Sequence, residues 1–156
     1  MNLALLTDYS LRILLFLAAR PHRAQVGQVA EFYRISKDHV AKAVNRLAHL
    51  GYVRTVRGVR GGVELAREPH EISLGQVIVE LEGRLKLLDC VAVENVCVIQ
   101  PTCQLRHVLA EAERLQTDYL RGIRLSDLVP RSGNLVALAL PLEPVGSAAV
   151  SNPSAN

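Results

Sequence analysis

Three cysteines are the residues best suited to chemistry in this chain, and all of them fall within fourteen positions, as Cys90, Cys97 and Cys103. An odd count argues against a framework of structural disulfides. Thiolates spaced by several residues in an irregular loop can converge on one soft metal centre. Zinc favours a fourth Cys or a His and tighter knuckles, whereas the gaps here are six and five residues. Iron–sulfur clusters tolerate wider loops and accept a fourth ligand other than cysteine. Free cysteines also serve as small buried hydrophobes or reactive thiols, so spacing alone leaves two readings open, a cluster site or thiols without metal. Elsewhere no carboxylates pair in a pocket-like context and no nucleophile stands beside a base, so an enzyme is not expected.

The elements that must position these thiols can be read from composition and period. With 156 residues, 49% of them apolar, the chain can bury a core and has room for one compact domain plus an appendage. Aromatics are only 4%, with no Trp, which speaks against a stacking platform for single-stranded nucleic acid or carbohydrate. The apolar start, residues 11–19, is interrupted by Arg12 and preceded by Asp8, so neither a signal peptide nor a membrane span is expected and the protein is read as cytoplasmic. Residues 1–70 carry 11 Lys/Arg against 5 Asp/Glu, and residues 71–156 carry 7 against 10. A basic front half and an acidic back half suggest a nucleic-acid-binding module joined to something else.

Apolar residues recur near helical period over residues 3–20, with Leu6, Ile13, Leu14, Leu17 and Ala18 on one face, and again over 25–33. Ser36 is a natural N-cap for a third helix running to Leu50, where Gly51 supplies a left-handed stop. Its apolar stripe is Val40, Ala43, Val44, Leu47 and Leu50, and its other face shows Lys37, Asp38, His39, Lys42, Asn45 and Arg46. Residues 52–57 and 63–66 flank a glycine-rich turn and form a hairpin, or wing. Three helices followed by a hairpin is the order of a winged helix-turn-helix, mainly α with a small β wing, whose third helix enters a major groove. On that expectation Lys42, Arg54, Arg57 and Arg60 contact phosphates, while Lys37, His39 and Asn45 face base edges. Gly61, with Gly58 and Gly62, lets the wing backbone approach the duplex.

Ser73 and Gln76 form a capping box opening a connector helix to about Glu82. The cysteine stretch, residues 85–103, lacks helical period. Residues 104–122 are strongly helical, with Leu105, Val108, Ala112, Leu115 and Tyr119 at alternating steps of three and four, a stripe suited to pairing with a second copy. The expected division is therefore a DNA-binding domain over 1–70, a connector and cysteine loop over 71–103, and a long dimerisation helix with a short return segment over 104–129. A flexible tail is expected over 130–156.

Several of these stretches together resemble the BadM/Rrf-type family of winged-helix regulators, and within it the nitric-oxide-sensing repressors. They are residues 7–12 (Thr-Asp-Tyr-Ser-Leu-Arg), 35–39 (Ile-Ser-Lys-Asp-His), 51–54 (Gly-Tyr-Val-Arg), 56–58 with 61–62 in the wing, and 80–82 (Glu-Leu-Glu). The cysteine block and residues 125–129 (Leu-Ser-Asp-Leu-Val) complete the match, which covers residues 1–130.

The resemblance implies a homodimer on double-stranded operator DNA, with one 4Fe–4S or 2Fe–2S cluster per subunit held by Cys90, Cys97 and Cys103. In the nitric-oxide-sensing members an Asp from the partner's first helix completes the coordination, and the matching position is Asp8. His107 is the runner-up ligand. The family's cluster-biogenesis regulator places a His three residues after the third cysteine, where this chain has Arg106, and a Glu where it has Ala41. The gap between Cys90 and Cys97 is also one residue longer than is usual in the family. The expected function is a repressor whose DNA binding is controlled by a cluster that reacts with nitric oxide. An iron-status regulator of the same family, or a thiol-based redox repressor without a cluster, are the alternatives.

Overall fold

The computed structural model describes residues 3–20, 22–58, 61–83, 87–94 and 97–130. Helix α1, Leu5–Ala18, buries Ile13, Leu14, Phe16 and Leu17 on one face. Leu6, expected on that face, is exposed instead, and the buried Thr7 and Ser10 take the first turns. No side chain caps α1. Its entry is tied by the Ala4 N–H, which donates to Glu82 Oε1 at 2.6 Å.

Helix α2, Val26–Tyr33, turns into the next helix through Arg34, a non-glycine residue in the left-handed region at φ 55°. Helix α3, Lys37–His49, starts at Ser36, whose hydroxyl accepts from the His39 N–H at 3.3 Å, and stops at Gly51, φ 73°. Val40, Ala43, Val44 and Leu47 are buried, as the stripe requires. Strands β1, Val53–Val56, and β2, Gly62–Leu65, pair antiparallel with Arg54 opposite Glu64. Ala24 adds a bridge to Val63, so the α1–α2 turn lies along the wing as a third, one-residue rung.

Helix α4, Leu74–Glu82, is capped by Ser73, but the expected capping box is only half formed. The Gln76 side chain donates forward to Glu80 Oε1 at 2.9 Å instead of back to the cap. The cysteine stretch is not wholly irregular. A four-residue turn of helix, α5 at Asp89–Ala92, and a 3-10 turn at Gln100–Thr102 lie within it.

Helix α6, Gln104–Gly122, packs on α4. A β-carbon at Gly75 would stand 2.5 Å from the Arg121 backbone nitrogen, so glycine is what lets the two backbones meet. Ser73 Oγ donates to the Arg121 carbonyl at 2.9 Å, and the Leu125 N–H donates to the Ile72 carbonyl at 2.9 Å. One apolar cluster runs from Ile13 through α2, α3 and the wing to Ile72, Val77 and Leu125. Each fully buried Leu, Ile or Phe in it contributes about 1.5–3 kcal/mol relative to exposure. Among the described residues no helix is long and apolar enough to cross a membrane. The flexible-tail expectation covers residues 130–156, of which all but Pro130 lie outside the described residues.

Candidate DNA interface and cysteine loop

Because α3 buries one stripe, Lys37, His39, Lys42 and Asn45 are all left exposed on its outer face. The His39 ring is oriented twice over. Its Nδ1 lies 2.7 Å from Ser36 Oγ, and its centroid is 5.7 Å from that of Tyr9 on α1. Neither contact uses Nε2. Arg46, grouped by sequence with this face, instead reaches toward the connector, with Nη2 3.4 Å from the Glu80 carbonyl.

In the wing, Arg57 is exposed at the end of β1, and Arg60 lies outside the described residues. Gly61 is required by the turn itself, since a β-carbon there would collide with the Val56 carbonyl oxygen. Arg54 is not a free cation. Its Nε sits 2.6 Å from Glu64 Oε1, while Arg23 Nε sits 2.7 Å from Glu64 Oε2. The Arg54 and Arg23 guanidinium groups hold the Glu64 carboxyl below its usual range.

The three thiols are free, Cys97 exposed and Cys90 and Cys103 half-buried. Cys90 rides on α5, and Cys103 is the residue before α6 begins. The buried Gln100 braces the loop between them: its amide Nε2 donates to the Cys90 carbonyl at 2.9 Å and to the Val93 carbonyl at 2.6 Å. Two ties to α6 hold the rest. The buried Glu113 accepts from the Leu87 N–H at 2.8 Å, and Arg106 pairs with Glu94 at 2.5 Å. Among the described residues no three His, Cys, Asp or Glu side chains converge into a metal cage. Ligation by all three thiolates therefore needs the loop to draw in.

Asp8 lies in the first turn of α1, half-buried, with both carboxylate oxygens 3.0 Å from Arg12 Nε. The hydrogen bond that Arg12 donates to Asp8 is the leading cause of a raised Arg12 pKa. Beside it, an apolar hollow of about 260 Å³ is lined by Leu5, Leu6, Tyr9, His39 and Lys42. His107 is exposed on α6. On the same helix Leu105, Val108, Leu115 and Tyr119 are 55% to 71% exposed and, with Ala112, form a stripe at heptad spacing.

Sequence reasoning missed Arg23, Glu64, Gln100 and Glu113. The hairpin register could have placed Arg54 opposite Glu64. No local signal marks Gln100 or Glu113, whose partners lie up to 26 residues away in the chain.

Three helices closed by a β-hairpin, with the polar face of the third turned outward, define a winged helix-turn-helix DNA-binding protein. The chain belongs to the Rrf2 family, whose model, described as an iron-dependent transcriptional regulator, matches residues 5–131. It is similar to the HTH-type transcriptional regulator NsrR of Shouchella clausii, 43% identical over 141 residues, covering 88% of this chain and 95% of that one. NsrR of Bacillus subtilis is likewise 43% identical over 141 residues, covering 88% and 97%. Among solved structures, IscR of T. potens superposes with a TM-score of 0.65 at 25% identity, covering 82% of this chain and 85% of that one. CymR, the global cysteine regulator of B. subtilis, shares the fold at a TM-score of 0.67 and 22% identity, covering 82% and 95%.

Proposed function

We propose that this regulator is a homodimeric repressor whose hold on operator DNA depends on an iron–sulfur cluster bound by Cys90, Cys97, Cys103 and the partner subunit's Asp8. The observation that carries the reading is a set of three free thiols on one braced loop, in a family described as iron-dependent. The donor chemistry fits: three thiolates and a carboxylate can hold an iron–sulfur cluster, and the six- and five-residue gaps are wider than the knuckles zinc favours. A bound cluster would supply iron reactive toward nitric oxide, with Cys90, Cys97 and Cys103 holding it and the partner subunit's Asp8 as the harder, weaker ligand. The resemblance of residues 7–12 to the nitric-oxide-sensing members supports that signal.

The chain's own residues supply the coupling. Arg12 holds Asp8 when the carboxylate is not engaged elsewhere, so ligation exchanges one partner for another. Tyr9, the next residue, touches His39, so a shift of the first turn of α1 is felt on the outer face of α3. The α6 seam pairs the subunits and sets the distance between their two α3 helices, about 34–36 Å or a multiple of it. Such a switch works because the two states differ in a defined contact.

The test is the visible spectrum of protein purified without oxygen, before and after nitric oxide, alongside DNA-binding titrations. A brown protein that bleaches and releases DNA together supports the reading. A colourless protein that binds DNA only when its thiols are reduced would support a thiol switch instead, a reading favoured by the exposure of Cys97.

A further inference from the structure

Arg23, Glu64 and Arg54 form a cation–anion–cation row across the outer face of the wing. The register makes this row: Arg54 is directly opposite Glu64, and the Ala24–Val63 bridge puts Arg23 on the other side of it. Each carboxylate oxygen of Glu64 is taken by a different arginine, at 2.6 and 2.7 Å, so one anion occupies the Nε edges of two guanidiniums at once. Arginine guanidiniums bind carboxylate and phosphate oxygens through the same N–H donors, so Glu64 occupies donors that a duplex phosphate would use. The carboxylate side chain is 21% exposed and the two arginine side chains are 67% and 44% exposed, so the row is open to an approaching backbone.

We propose that Glu64 acts as an internal substitute for a DNA phosphate and thereby as a brake on sequence-independent binding. The row carries a net charge of +1 in place of +2. A third charge of the wrong sign lies within a Debye length, about 8 Å at physiological salt, of any phosphate that Arg23 or Arg54 would reach. Non-specific affinity comes almost entirely from neutralised phosphates, whereas base readout by α3 is untouched by this row. Holding two cations back therefore lowers binding to all duplexes and widens the ratio of specific to non-specific affinity. Glu64 is a specificity-determining residue that contacts no base. The inference rests on the DNA-binding reading of the wing.

The test titrates the full-length protein against a 30-base-pair duplex of random sequence over a salt series. Each additional phosphate contact steepens the slope of log affinity against log salt by about 0.9, which is roughly fivefold in affinity at 0.15 M salt. Glu64→Gln, isosteric and neutral, is expected to bind this duplex about five- to thirtyfold more tightly, with the slope steeper by about one to two. Adding Arg54→Gln to that variant should return both quantities toward wild type. If Glu64→Gln destabilises the wing, single arginine variants still decide. Arg54→Gln should cost less affinity than Arg57→Gln, because the Nε edge of Arg54 is already occupied by Glu64. An unchanged or weaker affinity for folded Glu64→Gln, or an Arg54→Gln loss equal to that of Arg57→Gln, overturns the brake and leaves the row a sheet-stabilising charge pair. Failure of wild-type protein to bind the duplex at any salt overturns the DNA-binding reading of the wing together with the brake.

Discussion

The Tyr9 ring stands 5.7 Å from the ring of His39, tilted by 54°, and so joins the first helix to the outer face of the third. Aromatic pairs of this kind contribute about 0.5–1.5 kcal/mol beyond their buried area. Tyr9→Ala should therefore lower the preference for a duplex selected by wild-type protein over a random duplex by roughly two- to tenfold. His39→Ala should lower it at least as far. Competition binding measures both ratios, and an unchanged ratio for His39→Ala would place the reading face elsewhere.

Replacing Cys90, Cys97 or Cys103 by Ala should each abolish the visible absorption of protein purified without oxygen. Far-ultraviolet circular dichroism should stay at wild-type level, because none of the three lies in the apolar cluster. A variant that kept full iron and sulfide content would remove its cysteine from the ligand set.

Asp8→Ala should still assemble a cluster, because three thiolates remain, but with a shifted spectrum and a weaker link between nitric oxide and DNA release. Its melting temperature should hardly move, since an exposed i,i+4 ion pair such as Asp8–Arg12 contributes about 0.3–0.5 kcal/mol. His107→Ala is the matched control and should leave the spectrum as it is. The reverse pattern would make His107 the fourth ligand and Asp8 an ordinary partner of Arg12.

Gly75→Ala should destabilise the fold by about 1–3 kcal/mol, the usual cost of overpacking, because the added carbon meets backbone at Arg121 rather than a movable side chain. Thermal unfolding would register this as a fall of several degrees. A melting point equal to that of wild type would mean that α4 and α6 separate freely.

Local chemistry made the helices and the wing readable. Ser36 and Gly51 bracket α3 because a hydroxyl cap and a left-handed stop are decided within a few residues. The stripe of Val40, Ala43, Val44 and Leu47 then fixes which side faces outward. Leu6 was misplaced because period alone cannot tell where a helix face leaves the core. The half-formed box at Ser73 has a similar origin: Gln76 is within reach of both the cap and Glu80, and sequence does not rank the two. The three cysteines were visible as types, but their bracing was not. Gln100 and Glu113 act on backbone groups 7 to 26 residues away, and nothing in their neighbours announces a buried polar tie.

The hydrogen bond from Ala4 to Glu82 bears on the order in which the protein is made. Chains leave the ribosome from the N terminus at about 5–20 residues per second. The first turn of α1 therefore stays untied for some seconds, until the end of α4 has emerged. Ile72 waits in its turn for Leu125. The third helix, by contrast, has its cap at Ser36 and its stop at Gly51 almost at once. A nascent chain thus owns its third helix well before it owns the parts that anchor the first helix beside it, and truncation before residue 125 should leave a protein with an incomplete core.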